Sequence, residues 1–229
     1  MSNTKKKLLI VGNFNWEWYE EVCAKSLEML DYEVYRYGIR NLNLNYSGIF
    51  HSLINIFIKA QLKYNIGPFT KIINQNLVNK FRSLEPDIIW LYNVKFIKNS
   101  TIIKLKSIKK DCIFIQYSND NPFAQKNKLY FWKHFINSIN LMDINFVYRE
   151  SDIPNYKRNG SQNIHILMSY FNPKTDYPIK KEKIPKEFLC DVVFAGHYEN
   201  DGRLYVLEEI CRNNISLNLF GSGWNKPIK

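Results

Sequence analysis

Several short stretches of this 229-residue chain carry side chains whose types and spacing suit polar chemistry. Asn119-Asp120-Asn121-Pro122 sets one carboxylate between two amides, a group able to take a proton from a hydroxyl while its neighbours hold the rest of the molecule. The same residues suit a tight turn, because Asx side chains bond their own backbone and proline presets φ, so turn and site both stay open. Arg149-Glu150 offers a guanidinium for a phosphate or hydroxyl, or a surface ion pair. Gly12-Asn13-Phe14-Asn15-Trp16 is not a G-x-G-x-x-G fingerprint, which disfavours a dinucleotide. Glu17, Glu20 and Glu21 follow it; they complement a helix N-terminus and would repel a phosphate there. Near the end of the chain, Gly196-His197, Arg203 and Gly221-Ser222-Gly223 combine small residues, which let a ligand approach the backbone, with a cation. Gly-Ser-Gly is equally an ordinary loop.

Other chemistries are disfavoured. Cys23, Cys112, Cys190 and Cys211 form no C-x-x-C pair, and each sits in an apolar pattern that predicts a buried thiol. His51, His134, His165 and His197 are scattered without metal-ligand spacing, so no structural metal and no cofactor are expected. Lysine and arginine number 32 against 21 acids, a net +11 that favours phosphorylated substrates, anionic membranes or nucleic acid. The basic residues come in short runs (Lys5-Lys6-Lys7, Lys109-Lys110, Lys180-Lys181), as solvated helix ends and loops do. With no helix-turn-helix, zinc-finger or RNA-binding aromatic signature, nucleic acid is not expected as a partner. Leu8 to Val11 is too short for a signal h-region, and no apolar run reaches the roughly 18–20 residues of a membrane span. The expectation is a cytoplasmic protein, with peripheral contact at the inner membrane face left open by the amphipathic stretch Ile49 to Ile58. A core helix is the other reading of that stretch.

The elements that must position these residues alternate. Leu8–Gly12 reads as a strand covered on both faces. A helix is expected over 16–30 with Asn15 as its cap and Val22, Cys23, Leu27 and Leu30 on its inner side. Strands follow at 33–37, 87–92, 112–117, 144–148 and 164–168. Between them lie two helices in 48–84, broken near Gly67-Pro68, then helices at 100–109 and about 126–140. A short helix capped by Ser151, with Pro154 in its first turn, ends at Gly160. This rhythm predicts an α/β fold: a doubly wound, Rossmann-like parallel sheet whose crevice lies at the carboxyl ends of the strands. Residues 1–172 form that domain, 173–189 a Pro- and Lys-rich linker, and 190–229 one further βαβ unit, with strands at 191–195 and 216–220 around a helix at 202–213.

Three stretches in this order carry a family likeness: Gln116-Tyr117-Ser118-Asn119-Asp120-Asn121-Pro122; Phe146-Val147-Tyr148-Arg149-Glu150 with Lys157-Arg158-Asn159-Gly160 and Ile164-His165-Ile166-Leu167-Met168-Ser169-Tyr170; and Cys190-Asp191-Val192-Val193-Phe194-Ala195-Gly196-His197-Tyr198 with Arg203-Leu204 and Leu219-Phe220-Gly221-Ser222-Gly223-Trp224. Together they resemble the CgeB-like (spore-maturation type) glycosyltransferases. The resemblance implies a GT-B fold of two Rossmann domains, the first for the acceptor and the second, present here only as its first βαβ, for a nucleotide-sugar. It implies transfer of a sugar to a bacterial glycan or protein acceptor. Gly12, Asn13, Asn15, Asn119, Asn121, Arg149 and Glu150 would line the acceptor side. Asp120 would be the base if the reaction inverts the sugar, and would only position the acceptor if it retains. Gly196, His197 and Arg203, flanked by Gly221, Ser222 and Gly223, would meet the donor diphosphate. The shortened second domain leaves donor binding by this chain in doubt and leaves a homodimer or a missing C-terminal half as partners. A non-catalytic module that binds a glycan or a protein is the alternative.

Overall fold

In a computed structural model of the chain, residues 5–15, 17–39, 50–124, 129–168, 170–172 and 174–225 are described, with the backbone alone at 18, 50–55 and 129. Trp16, Ile49, residues 126–128, Ser169 and Pro173, all part of the reading above, lie outside them. Two compact units divide the chain, Met1–Asn172 and Pro173–Lys229.

The first unit is built on six parallel strands: β1 (Lys7–Gly12), β2 (Glu33–Gly38), β3 (Ile88–Tyr92), β4 (Ile113–Ser118), β5 (Ile144–Val147) and β6 (Ile164–Ile166), in the spatial order β2-β1-β3-β4-β5-β6. The direction of winding reverses between β1 and β3, which makes their carboxyl ends the switch point where such sheets bind ligands. β3 is apolar throughout, and β1 is apolar after Lys7, because both faces are covered. One face carries Leu9, Val11, Ile89, Leu91 and Phe114. It packs on α3 (Pro68–Leu84) through Ile73, Leu77 and Phe81, and on α4 (Asn99–Ile108) through Ile102 and Leu105. The other carries Leu8, Ile10, Trp90, Tyr92, Ile115 and Tyr117 against α1 (Val22–Met29), whose Ala24 is fully buried. A third cluster joins Trp132 and Phe135 of α5 (Leu129–Ser138) to Val147 and to Tyr156 of α6 (Ile153–Arg158). α2 (Phe50–Tyr64) packs on α3 and sends Ile58 and Leu62 to the first cluster, while Ile56 and Phe57 remain exposed.

The region after β1 departs from the expected helix. A kinked turn spans Glu17–Glu21, with Tyr19 outside helical geometry at φ −112° and ψ −108°. Only at Val22 does α1 begin, with Glu21 and not Asn15 at its N-cap position. Within this turn Glu20 folds its carboxylate back to accept the Asn13 N–H at 2.9 Å and lies against Gly12. Leu30 is exposed just past the helix end. Ser151 is not the cap of α6 either: it sits inside a 3₁₀ turn, Glu150–Asp152, which places Asp152 at that position and Pro154 in the first turn.

In the second unit, β7 (Val192–Ala195) and β8 (Leu217–Phe220) pair in parallel, joined by α7 (Arg203–Arg212). Residues 181–183 and 186–188 form 3₁₀ turns, and Phe188 meets the Phe220 ring at 5.7 Å. Cys211, expected buried, is exposed on α7, while Cys112 is buried and Cys23 and Cys190 are half-buried. The two paired strands offer α7 one short sheet face, too little to cover the helix all round.

Candidate functional site

A cavity of about 320 Å³ opens at the carboxyl ends of the central strands of the first unit. Tyr92 ends β3, Tyr117 lies one residue before the end of β4, and Tyr148 follows β5; these three, with Asn119 and Arg149 from the loops after β4 and β5, form most of its wall. Tyr19, from the kinked turn after β1, and Tyr170, beyond β6, complete it. The parallel register levels Tyr92 with Tyr117, so both rings project to one face and meet edge to face at 5.0 Å.

The hydroxyls of Tyr92 and Tyr170 lie 2.8 Å apart, and Tyr170 donates to the carbonyl of Tyr19 at 3.0 Å. That bond closes the post-β1 turn over the cavity. Burial pushes the Tyr92, Tyr117 and Tyr170 phenols far above the ordinary tyrosine value, so they remain neutral hydrogen-bond groups. Burial also pushes the Cys23 thiol, which bonds to Tyr170, up to about 11. The cavity therefore presents phenols, one amide and one cation.

Beside it, the Asn119–Pro122 loop divides its tasks. Asn119 lines the cavity. Asp120 is half-exposed, with Lys95 Nζ and Asn93 Nδ2 each 3.3 Å from its Oδ2. Asn121 makes an Asx turn, its Oδ1 accepting the Phe123 N–H at 2.8 Å. Lys95 is largely buried, with its ammonium 3.7 Å from the Trp132 ring centroid, and burial lowers its affinity for the proton. Asn93 takes a left-handed φ of 49° and also reaches Asn119 Oδ1 at 3.2 Å, so the ends of β3 and β4 are tied side chain to side chain. Gly12 is buried, Asn13 half-buried and Asn15 exposed, and none of the three lines the cavity. A side chain at Gly12 would meet Glu20 Cγ at 2.6 Å, so glycine there makes room for the buried carboxylate. Glu150 is exposed in its turn.

The second unit gathers its own candidates at the carboxyl ends of β7 and β8. Gly221 takes φ 137°, and a side chain on it would collide with the Gly196 carbonyl, so the two loops touch backbone to backbone. His197 Nδ1 lies 2.9 Å from Ser222 Oγ and accepts the Ser222 N–H at 3.2 Å. Trp224 Nε1 donates to the Gly196 carbonyl at 2.8 Å, and Gly223 packs against Tyr198. Arg203 is committed within the loop: it donates to Asp201 at 2.7 and 2.5 Å and to the His197 carbonyl at 2.6 Å, with Glu199 at 3.6 Å.

No family model and no curated protein matches the chain. Among solved structures it is similar to UDP-N-acetylglucosamine 2-epimerase from Rickettsia bellii. The match has 12% identity and a TM-score of 0.48, and covers 94% of this chain and 61% of that one. The chain thus spans less than two thirds of that protein's length, and the enzyme's activity is not carried over from a likeness of this degree.

The cavity tyrosines were absent from the candidate set, although Tyr117, Tyr148 and Tyr170 lay inside the stretches that carried the family resemblance. The signal was present: tyrosine recurs at the carboxyl end of three successive strands, at 92, 117 and 148. Lys95 and Asn93 were missed because nothing local marks them, and only the pairing of β3 with β4 brings them to Asp120. Among the described residues, no group of three or more His, Cys, Asp or Glu is arranged to hold a metal. None of the helices there is long and apolar enough to cross a membrane.

Proposed function

We infer that this chain takes part in sugar transfer: a GT-B-type glycosyltransferase whose first unit receives a glycan or glycosylated acceptor and whose second unit bears the loop for a nucleotide-sugar. The observation that carries this reading is the cavity walled by five tyrosines at the switch point of the sheet. Aromatic faces stack on the C–H face of a pyranose while phenols, Asn119 and Arg149 bond its hydroxyls. Its volume is near the lower end of ligand sites, about 300–1,000 Å³, which suits one or two rings.

In this reading the acceptor hydroxyl attacks the anomeric carbon and a nucleoside diphosphate leaves. Orientation and charge stabilisation supply most of the rate. If the sugar is inverted, Asp120 takes the hydroxyl proton, with Lys95 and Asn93 fixing its carboxylate. The Gly196–His197 and Gly221–Ser222 loops would flank the diphosphate, with the Gly196 N–H given to the Phe220 carbonyl at 2.7 Å and the Ser222 N–H to His197 Nδ1 at 3.2 Å.

The state of Arg203 favours a second reading. Its charge is already met by Asp201 and Glu199 and so is not held open for a diphosphate, which suits a non-catalytic glycan-binding module better than a transferase. Calorimetric titration with UDP-, GDP- and dTDP-sugars, together with an assay for released nucleoside diphosphate, separates the two. Donor binding with turnover, abolished by Asp120→Asn in an inverting enzyme, supports transfer. Saccharide binding without donor binding supports the module. If neither sugars nor donors bind, both readings fall.

A further inference from the structure

The tyrosine cavity holds one charged side chain, and its state differs from that of Arg36 and Arg203. Arg36 is committed to Glu21 and Glu28 at 2.8 and 2.7 Å, and Arg203 to Asp201 at 2.7 and 2.5 Å. Arg149 reaches only the Asn119 carbonyl at 3.4 Å and Asp152 Oδ2 at 3.8 Å. Both exceed the roughly 2.7–2.9 Å of a formed charge-assisted bond. Its side chain is 46% exposed, and its guanidinium carbon lies 4.9 Å from the centre of the Tyr148 ring at the cavity wall. A planar fork of five donors, sparsely used, matches a carboxylate or phosphate in two-pronged fashion.

The surroundings permit an anion. Two acids near the cavity are occupied elsewhere, Asp120 by Lys95 and Glu20, 4% exposed, by the Asn13 N–H, while Glu150 is exposed in its turn and does not line the cavity. Asp152 is buried 3.8 Å from the Arg149 guanidinium and does not line the cavity, and its Oδ1 has no hydrogen-bond partner. A net charge of +11 raises the local concentration of anions.

We propose that the cavity selects an anionic sugar, a ring whose carboxylate or phosphate is received by Arg149 while the tyrosines hold the ring. This rests on the carbohydrate reading given above, and the test separates the two. The full chain is titrated calorimetrically with glucose, glucuronate, glucose 6-phosphate and inorganic phosphate, at low and high salt. One charge-assisted pair corresponds to roughly ten- to hundred-fold in affinity. Glucuronate or glucose 6-phosphate should therefore bind about that much more tightly than glucose, and the advantage should shrink with salt. Whichever of the two binds better identifies the oxyanion.

Arg149→Gln should weaken glucuronate and glucose 6-phosphate far more than glucose and so erase the advantage, while Arg149→Lys should retain part of it. The lysine variant also serves should the glutamine variant unfold. Equal binding of glucose and the anionic sugars, or equal weakening of all by Arg149→Gln, overturns the anionic preference and leaves a neutral-sugar site standing. Inorganic phosphate binding as tightly as glucose 6-phosphate means that no ring is read, and overturns both. No sugar binding to the folded chain removes the carbohydrate reading and this proposal with it.

Discussion

Asp152 shows how a single carboxyl can be both costly and useful. Burial raises its proton affinity above the ordinary value of 3.8, and Arg149 only partly offsets this. A carboxyl whose folded value is raised binds more protons folded than unfolded. Stability therefore falls as pH climbs through the interval above 3.8, and the penalty persists at neutral pH. Replacing it with asparagine should stabilise the protein relative to wild type more at pH 7 than at pH 4, as read by denaturant unfolding at both values. A difference independent of pH would mean that Asp152 ionises in the fold as freely as in the unfolded chain. The thiols make a second residue-scale case. Burial pushes Cys23 up to about 11 and Cys112 up to about 12, so neither offers thiolate near neutrality. Brief alkylation at neutral pH, mapped by mass spectrometry, should label exposed Cys211 first and leave Cys112 unmodified until unfolding.

The loop after β3 holds Lys95 and Asn93 because α3 grips it. Asn74, on the buried face of α3, donates to the carbonyls of Thr70 at 2.7 Å and Phe96 at 3.0 Å. Its Oδ1 accepts the Lys98 N–H at 2.9 Å and the Thr101 hydroxyl at 2.7 Å. One amide thereby pins the loop and satisfies the start of α4, for which Lys98 provides no side-chain cap. Asn74→Leu should cost about 1–3 kcal/mol for each buried group left without a partner, and more than a neutral surface change in α3. Chemical denaturation measures the loss. A change under about 0.5 kcal/mol would show that water replaces the amide there.

At the scale of the molecule, the two units differ in what holds them. The first has a sheet of six strands covered on both faces and three buried clusters. The second has two strands and one helix, with Val193, Tyr205 and Val206 all more than half exposed. A two-stranded sheet has little apolar burial to resist local opening. Amide hydrogen exchange should accordingly show protection near the global limit in β1, β3 and β4, and markedly faster exchange in β7 and β8. Equal protection in both units would mean that the exposed apolar face of the second is covered in solution.

Much of this architecture was legible in the residues. Apolar runs such as Leu8–Val11 and Ile88–Tyr92 have to be strands buried on both faces, and the Gly67-Pro68 break has to end one helix and start the next, because hydrophobic period and backbone restriction are local properties. The placement of Asn119, Asp120 and Arg149 at strand ends followed from the same local logic. Tertiary structure decided what no local rule reaches. Glu20 folds back against Gly12 in a kinked turn where a helix start was expected, and the fold brings tyrosines 19, 92, 117, 148 and 170 around one space. A side chain's partners across a sheet depend on register and winding order, and these are set by the global burial of both faces. The sequence could therefore name the strand ends, and only the fold could say which of them share a cavity.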